Sequence, residues 1–210
     1  MSDKSAKPHP IEPRKAPRQA RSNATVDAIL EAAAHILREE GLVPFTTNAV
    51  AQRAGASIGS LYQYFPGKDA ILTELIRRKR QTMLDAIRLA ARETRSRPFA
   101  EAVDRLIAAG IAHQLDDPQV SRALEYAEAT LPLHTETHEL KMAIVAEVSA
   151  TFAARGFSEP EIAAHDVVAL TRGMIDTAGL YGETDASSLT DRVRRAVTGY
   201  LKTAPKVSRT

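Results

Sequence analysis

Between Thr46 and Lys68 the chain gathers side chains suited to hydrogen bonding on a polyanion. Ser57, Ser60 and Gln63 can donate to or accept from base edges and phosphate oxygens. Gly59 lets a backbone approach closely. Tyr62 and Tyr64 join an apolar ring, able to touch a thymine methyl, to a hydroxyl that can reach phosphate. Thr47 and Asn48 fall in the first turn of a predicted helix, where unpaired N–H groups favour an anion. Lys68 opens the next predicted helix and can reach a phosphate backbone.

Other chemistry finds little footing. The chain has no Cys, which excludes a disulfide framework, a thiolate metal site and a thiol nucleophile. There is no Ser nucleophile motif, no Gly-rich phosphate loop and no paired-carboxylate signature, so the reading is not an enzyme, and no cofactor is expected. His134 and His138, spaced i, i+4, could share a metal on one helix face. Thr135 stands where a zinc-protease motif needs its Glu, and the reading is that no metal binds. A solvated pair near a helix start explains them as well.

These residues need elements to position them, and the pattern is helical throughout. Gly and Pro mark boundaries, and no run alternates as a strand would. A first helix over 23–40 carries Val26, Ile29, Leu30, Ala33, Ile36 and Leu37 at helical spacing, with Gly41 as its stop. Thr46 caps a short helix to about Ala54. Ser57 caps another from Ile58 to Phe65, ended by Pro66 and Gly67. A long helix starts near Lys68. Looser stripes give a fifth from Phe99 and a sixth from Pro118. A seventh covers 134–155. Ser158 to Glu161 reads as a capping box with Pro inside the first turn, starting an eighth helix to about Tyr181. Ser187 or Ser188 starts a ninth. The expected fold class is all-α with about nine helices: a three-helix N-terminal unit containing a helix-turn-helix, and a C-terminal helical domain.

Charge adds direction. The net charge is only +2. Yet residues 1–80 hold 13 Lys/Arg against 8 Asp/Glu, whereas 81–210 hold 15 against 18. A basic front end on a slightly acidic body suits a polyanionic partner. Residues 1–21 contain four Pro and six Lys/Arg and read as a disordered basic arm. Arg18 and Arg21 could trail onto DNA, and an arm with no role fits equally. The run Arg77 to Arg80 could touch phosphate, though a solvated helix face explains it better. No stretch of eighteen apolar residues occurs, so no membrane span is expected, and the lack of Cys fits a cytoplasmic location.

The segment from Thr46 to Lys68 resembles the DNA-binding signature of the TetR/AcrR family. The matching positions are Thr46, Val50, Ala51, Ala54, Gly55, Gly59, Leu61, Tyr62, Tyr64, Phe65 and Lys68. Ile29, Leu30, Ala32 and Ala33 resemble the family's first helix. The resemblance spans about residues 23–82 and is dense and without gaps. Many relatives have His where Tyr64 stands, which bears on the operator sequence rather than the role. The resemblance implies operator contacts from Thr47, Asn48, Ser57, Gly59, Ser60, Tyr62, Gln63, Tyr64 and Lys68. It implies a DNA-binding domain over 22–82, with its helix-turn-helix at 45–64. It further implies a helical ligand-binding and dimerisation domain over 83–205, then a tail over 206–210.

Relatives dimerise through their last two long helices. Here Val168, Ala169, Gly173, Ile175, Thr177, Val193, Val197 and Tyr200 are the expected interface. Ala169, Gly173 and Thr177 form a small-residue ridge at i, i+4, i+8. Relatives bind ligands among their middle helices. The corresponding candidates are His113, Gln114, Tyr126, Met142, Arg172, Met174 and Tyr181, each of which could instead be core or solvated surface. The implied function is a transcription regulator, a repressor, that binds a palindromic double-stranded operator as a homodimer. An unidentified small molecule would release it.

Overall fold

The computed structural model describes residues 20–207. Among these, nine helices follow in order: α1 (Ala20–Glu39), α2 (Thr47–Arg53), α3 (Ile58–Tyr64), α4 (Lys68–Glu93), α5 (Phe99–Leu115), α6 (Pro118–Glu128), α7 (His134–Ala153), α8 (Pro160–Leu180) and α9 (Ala186–Thr203). The one extended pairing among the described residues is an isolated bridge between Phe157 and Lys206. The all-α reading therefore holds. Arg18 and the rest of residues 1–19 lie outside the described residues, as do 208–210.

The chain forms two compact units. One comprises residues up to Arg78 together with Gln119–Pro132; the other comprises Lys79–Pro118 and Leu133 onward. By packing, most of α6 falls with the first unit, and α4 divides between Arg78 and Lys79.

In the first unit, α1 packs on α2 and α2 on α3. The α1 stripe is buried as its spacing requires: Val26, Ile29, Leu30, Ala33, Ile36 and Leu37 are all covered. Phe45, Val50, Ala51, Leu61, Phe65, Ile71 and Leu72 are buried too. Each large side chain so covered contributes roughly 1.5–3 kcal/mol. α1 stops where Gly41 turns into the left-handed region at φ 77°, and Gly55 makes the turn between α2 and α3 at φ 64°. Two surface ion pairs tie the unit: Arg53 to Glu39 at 2.6 Å and Arg78 to Asp27 at 2.6 Å.

In the second unit α5, α7, α8 and α9 pack together. Leu189, Val193, Val197 and Leu201 recur every four residues along α9 and form one buried face. They share a core with Ile107, Ile111, Val148, Phe152, Phe157 and Ile175. The rings of Phe99, Phe152 and Phe157 meet with centroids 5.2–5.8 Å apart. Beside them the Arg155 guanidinium donates to the carbonyls of Thr94, Arg95 and Arg97 at 3.1, 3.3 and 2.7 Å. It thereby satisfies acceptors at and just beyond the end of α4.

Two expected helix starts differ. The capping box at Ser158 does not form. Glu159 occupies the cap position without a side-chain bond, and Pro160 is the first helical residue. Ser158 instead lies in an extended pairing, its N–H donating to the Pro205 carbonyl at 3.2 Å. α9 begins at Ala186, because Asp185 accepts the Ser188 N–H at 3.0 Å. Residues 205–207 pair with the turn that follows α7. The Val207 N–H donates to the Gly156 carbonyl at 2.8 Å, and the Lys206 ammonium lies 5.2 Å from the Phe157 ring centroid.

Candidate nucleic-acid interface

α3 has seven residues, and Leu61 is the one that is buried. An isolated helix this short is marginal in water, so its shape depends on its ends and on that anchor. Both ends are fixed. The Ser57 hydroxyl accepts the Ser60 N–H at 3.0 Å and meets the Ser60 hydroxyl at 2.8 Å. At the other end, Phe65 is fully buried and its N–H donates to the Leu61 carbonyl at 2.9 Å. α2 is capped the same way, with Thr46 Oγ1 accepting the Ala49 N–H at 3.1 Å. Caps of this kind stabilise by about 1 kcal/mol each.

With Leu61 turned inward, the opposite face of α3 is left open. Ser57, Gly59, Tyr62 and Gln63 are exposed, and Ser60 is half-exposed. The Tyr62 hydroxyl lies 3.2 Å from Thr47 Oγ1, which fixes the ring across the first turn of α2. Asn48 is exposed beside Thr47, and Lys68 is exposed at the first position of α4. These residues thus share one surface region around the helix-turn-helix. A Cβ added at Gly59 would meet nothing but Ser57 Oγ at 3.9 Å, so packing does not require a small residue there.

Tyr64 stands apart from that group. It is half-buried, and its hydroxyl accepts from Ser22 at 3.0 Å. It bolts the end of α3 to the first turn of α1. Ile58 was missed by the sequence reading. It is 38% exposed, one turn ahead of Tyr62 on the same face. The i, i+4 spacing from Tyr62 was the available signal, masked by the habit of assigning aliphatic residues to the core. The run Arg77 to Arg80 is drawn into the fold: Arg78 bonds Asp27 and Glu74, and Arg80 donates to Thr137 at 2.6 Å.

The other predicted residues scatter. Tyr126 and Tyr181 are 77% and 82% exposed, so neither lines a pocket within the chain. Met142 is exposed as well. Arg172 is exposed and pairs with Asp176 at 3.2 Å, the surface alternative. Gln114 is buried, Met174 packs against the second unit's core, and His113 is half-buried. Burial, with the Lys79 charge second, lowers the His113 pKa to about 4 and keeps the ring neutral at pH 7. Of the expected interface, Ile175, Val193 and Val197 are fully covered inside the chain and serve its core instead. Val168 is partly buried against that core. Ala169, Gly173 and Thr177 lie open on α8, and Tyr200 is half-exposed, its hydroxyl donating to Asp166 at 2.5 Å. His134 and His138 are both exposed, and among the described residues no group of three or more potential ligands gathers around a metal position. No helix among the described residues is long and apolar enough to cross a membrane.

Comparison with known proteins gives the arrangement its context. The family model described as bacterial regulatory proteins, tetR family, matches residues 29–75. A second, described as tetracyclin repressor-like, C-terminal domain, matches residues 98–201. Among curated proteins, the chain is 35% identical over 86 residues to the nucleoid occlusion factor SlmA of Haemophilus ducreyi. That match covers 41% of this chain and 42% of the relative, so the chain spans about two fifths of the length of the curated relatives it matches. Among solved structures, a putative TetR-family transcriptional regulator from Mesorhizobium loti superposes with a TM-score of 0.74 at 18% identity, covering 89% of this chain and 100% of the other. A transcriptional regulator from Rhodococcus sp. RHA1 superposes at 0.71 and 22% identity, covering 87% and 99%. At these identities the structures speak to the fold alone. The two family models between them account for the capped helix-turn-helix and for the helical domain that follows, and the chain is a member of the TetR family of DNA-binding transcriptional regulators.

Proposed function

We propose that this regulator is a repressor that binds a palindromic operator as a homodimer and leaves it when a small molecule binds. The observation that carries the reading is the open polar face of α3, held in shape by Leu61, Ser57 and Phe65. A seven-residue helix is about 10 Å long and faces about three base pairs of a major groove. Three base pairs recur far too often to mark one site among the ~10⁶–10⁹ that a genome offers. Two copies reading half-sites about 34 Å apart square that selectivity. On this reading Ser57, Gly59, Ser60, Tyr62 and Gln63 meet base edges and nearby phosphates. Thr47, Asn48 and Lys68 position the helix on the backbone, and Tyr64 supports it from behind.

For the second copy, the open ridge of Ala169, Gly173 and Thr177 on α8, bordered by Val168 and Tyr200, is the surface that admits close approach. For the effector, the second unit offers buried Gln114 beside half-buried His113, with Met174 adding apolar surface. A mostly apolar molecule with one hydrogen-bonding group suits such a setting. Release then follows as a population shift: the effector favours a dimer whose recognition helices are spaced wrongly for successive grooves. A coupling of about 1–3 kcal/mol is typical of such systems.

The test is selection of bound fragments from a whole-genome pool at two salt concentrations, with the hydrodynamic mass measured in parallel. A palindromic motif and a two-chain mass are expected. Sequence-blind binding, or a one-chain mass at micromolar concentration, would overturn the reading.

A further inference from the structure

The open face of α3 is not uniformly polar. Helical residues turn by about 100° each, so Gly59 and Gln63 sit opposite buried Leu61, with Ile58 and Tyr62 along one flank and Ser60 and Tyr64 along the other. The second flank is polar and bonded within the chain. Ser60 and Ser57 share a hydroxyl hydrogen bond of 2.8 Å, and Tyr64 accepts from Ser22 at 3.0 Å. The first flank is apolar, and Ile58 and Tyr62 are both exposed on it. The Tyr62 hydroxyl lies 3.2 Å from Thr47 Oγ1, which holds the ring beside Ile58 as an i, i+4 pair.

The core does not call for this isoleucine, since Leu61 already anchors α3. Nor is Ile58 among the positions that the family resemblance assigns to operator contact. It is the first residue of α3, and the N-terminal residues of a recognition helix reach the base edges. Its neighbour Gly59 carries no side chain, and a Cβ there would meet only Ser57 Oγ at 3.9 Å. Bare backbone beside Ile58 lets the groove floor approach the aliphatic branch. An aliphatic group pressed on a base edge gains from one feature. In the major groove N7, O6 and O4 accept, N4 and N6 donate, and the C5-methyl of thymine is the apolar group. A cytosine N4–H set against Ile58 would lose its water with no acceptor in return.

We propose that Ile58, with the Tyr62 ring as a second wall, reads the C5-methyl of one thymine in each half-site. The feature recognised is a methyl group on a pyrimidine, held by burial and not by hydrogen bonding. The proposal rests on the reading of α3 as the helix in the major groove and adds to it a specificity residue and its base. Gln63 reads its position by hydrogen bonds, and Ile58 reads another by contact.

In the experiment the wild-type chain first selects its motif from a random-sequence duplex pool. Each thymine of that motif is then replaced by uracil, which lacks only the C5-methyl, at the matching position of both half-sites. Affinity is read by fluorescence anisotropy on the labelled duplexes. Burying one methyl is worth about fourfold in affinity, so wild type should lose about fifteenfold at one thymine position. Ile58→Ala should bind the thymine duplex more weakly than wild type does and bind the thymine and uracil duplexes equally at that position. Should Ile58→Ala melt below the assay temperature, Ile58→Val takes its place and must show a smaller uracil penalty than wild type. A motif with no uracil-sensitive thymine overturns the proposal, as does a uracil penalty undiminished in the Ile58 variant. In both cases the operator reading stands. A pool that yields no motif overturns the operator reading, and this proposal with it.

Discussion

Leu61→Ala separates the scaffold of α3 from its reading face. Leu61 is fully buried, and every other residue of α3 is exposed or half-exposed. No second side chain on that helix can slide into the vacated space, so the cost falls in the range of about 2–5 kcal/mol measured for buried Leu truncations, near 3. For a chain of this size each kcal/mol lowers the melting temperature by about 2–4 °C, so the expected fall is about 6–12 °C. The loss should also reach DNA binding well below the melt. A seven-residue helix without its one buried anchor keeps only its caps and the hydrogen bonds of Tyr62 and Tyr64 to hold it. Far-UV circular dichroism melts beside fluorescence anisotropy on the selected operator would read both. A melting temperature within about 2 °C of wild type, or operator affinity unchanged at 25 °C, would refute the claim that Leu61 holds the recognition helix.

Further predictions follow from the same geometry. Lys68→Ala should weaken binding to all sequences alike and reduce the salt slope by about 0.9, seen by anisotropy across a salt series. Because the His113 pKa is lowered to about 4, the unfolded chain binds more protons between pH 6.5 and 4. Stability tied to this residue is then full above pH 6.5 and lost as pH falls through 4, on the order of 3 kcal/mol. His113→Gln should flatten that acid limb in urea melts taken at a series of pH values, and an unchanged limb would remove His113 as its source. Arg155→Ala deletes donors to three carbonyls and the guanidinium lying 5.8 Å from the Phe99 ring centroid. A loss of about 1.5–3 kcal/mol is expected in denaturant melts, with Lys restoring only part, since one ammonium cannot reproduce the planar fork.

What the sequence revealed was mostly local. Thr46 and Ser57 cap their helices as read, because capping depends on a hydroxyl three residues before the N–H it accepts. Gly41, Gly55 and Gly156 stop or turn the chain where a left-handed residue is needed. What it hid was set by distant partners. Ser158 has a capping-box neighbourhood, but a backbone bond to Pro205, far along the chain, takes its place. Tyr64 matched a DNA-contact position, yet its hydroxyl is engaged by Ser22, 42 residues earlier. On α8 and α9 the helical period identified apolar faces without saying what they face. Val193 and Val197 turn inward, while the ridge of Ala169, Gly173 and Thr177 stays open. Tyr126 and Tyr181 fall among the ligand candidates yet stand in solvent, and no periodicity argument tells an aromatic at a pocket wall from an exposed one.

The central claim is that α3 reads base edges through its open face, and Gln63 is the side chain there best suited to a bidentate contact. The most direct test measures wild type and Gln63→Ala against the selected operator and a full set of its single base-pair variants. Gln63→Ala should keep the wild-type melting temperature and salt slope. It should lose about 1–3 kcal/mol of discrimination at one base pair in each half-site, symmetrically placed, and at no other. Discrimination retained at every position, or lost evenly across the operator, would contradict the placement of α3 in the major groove.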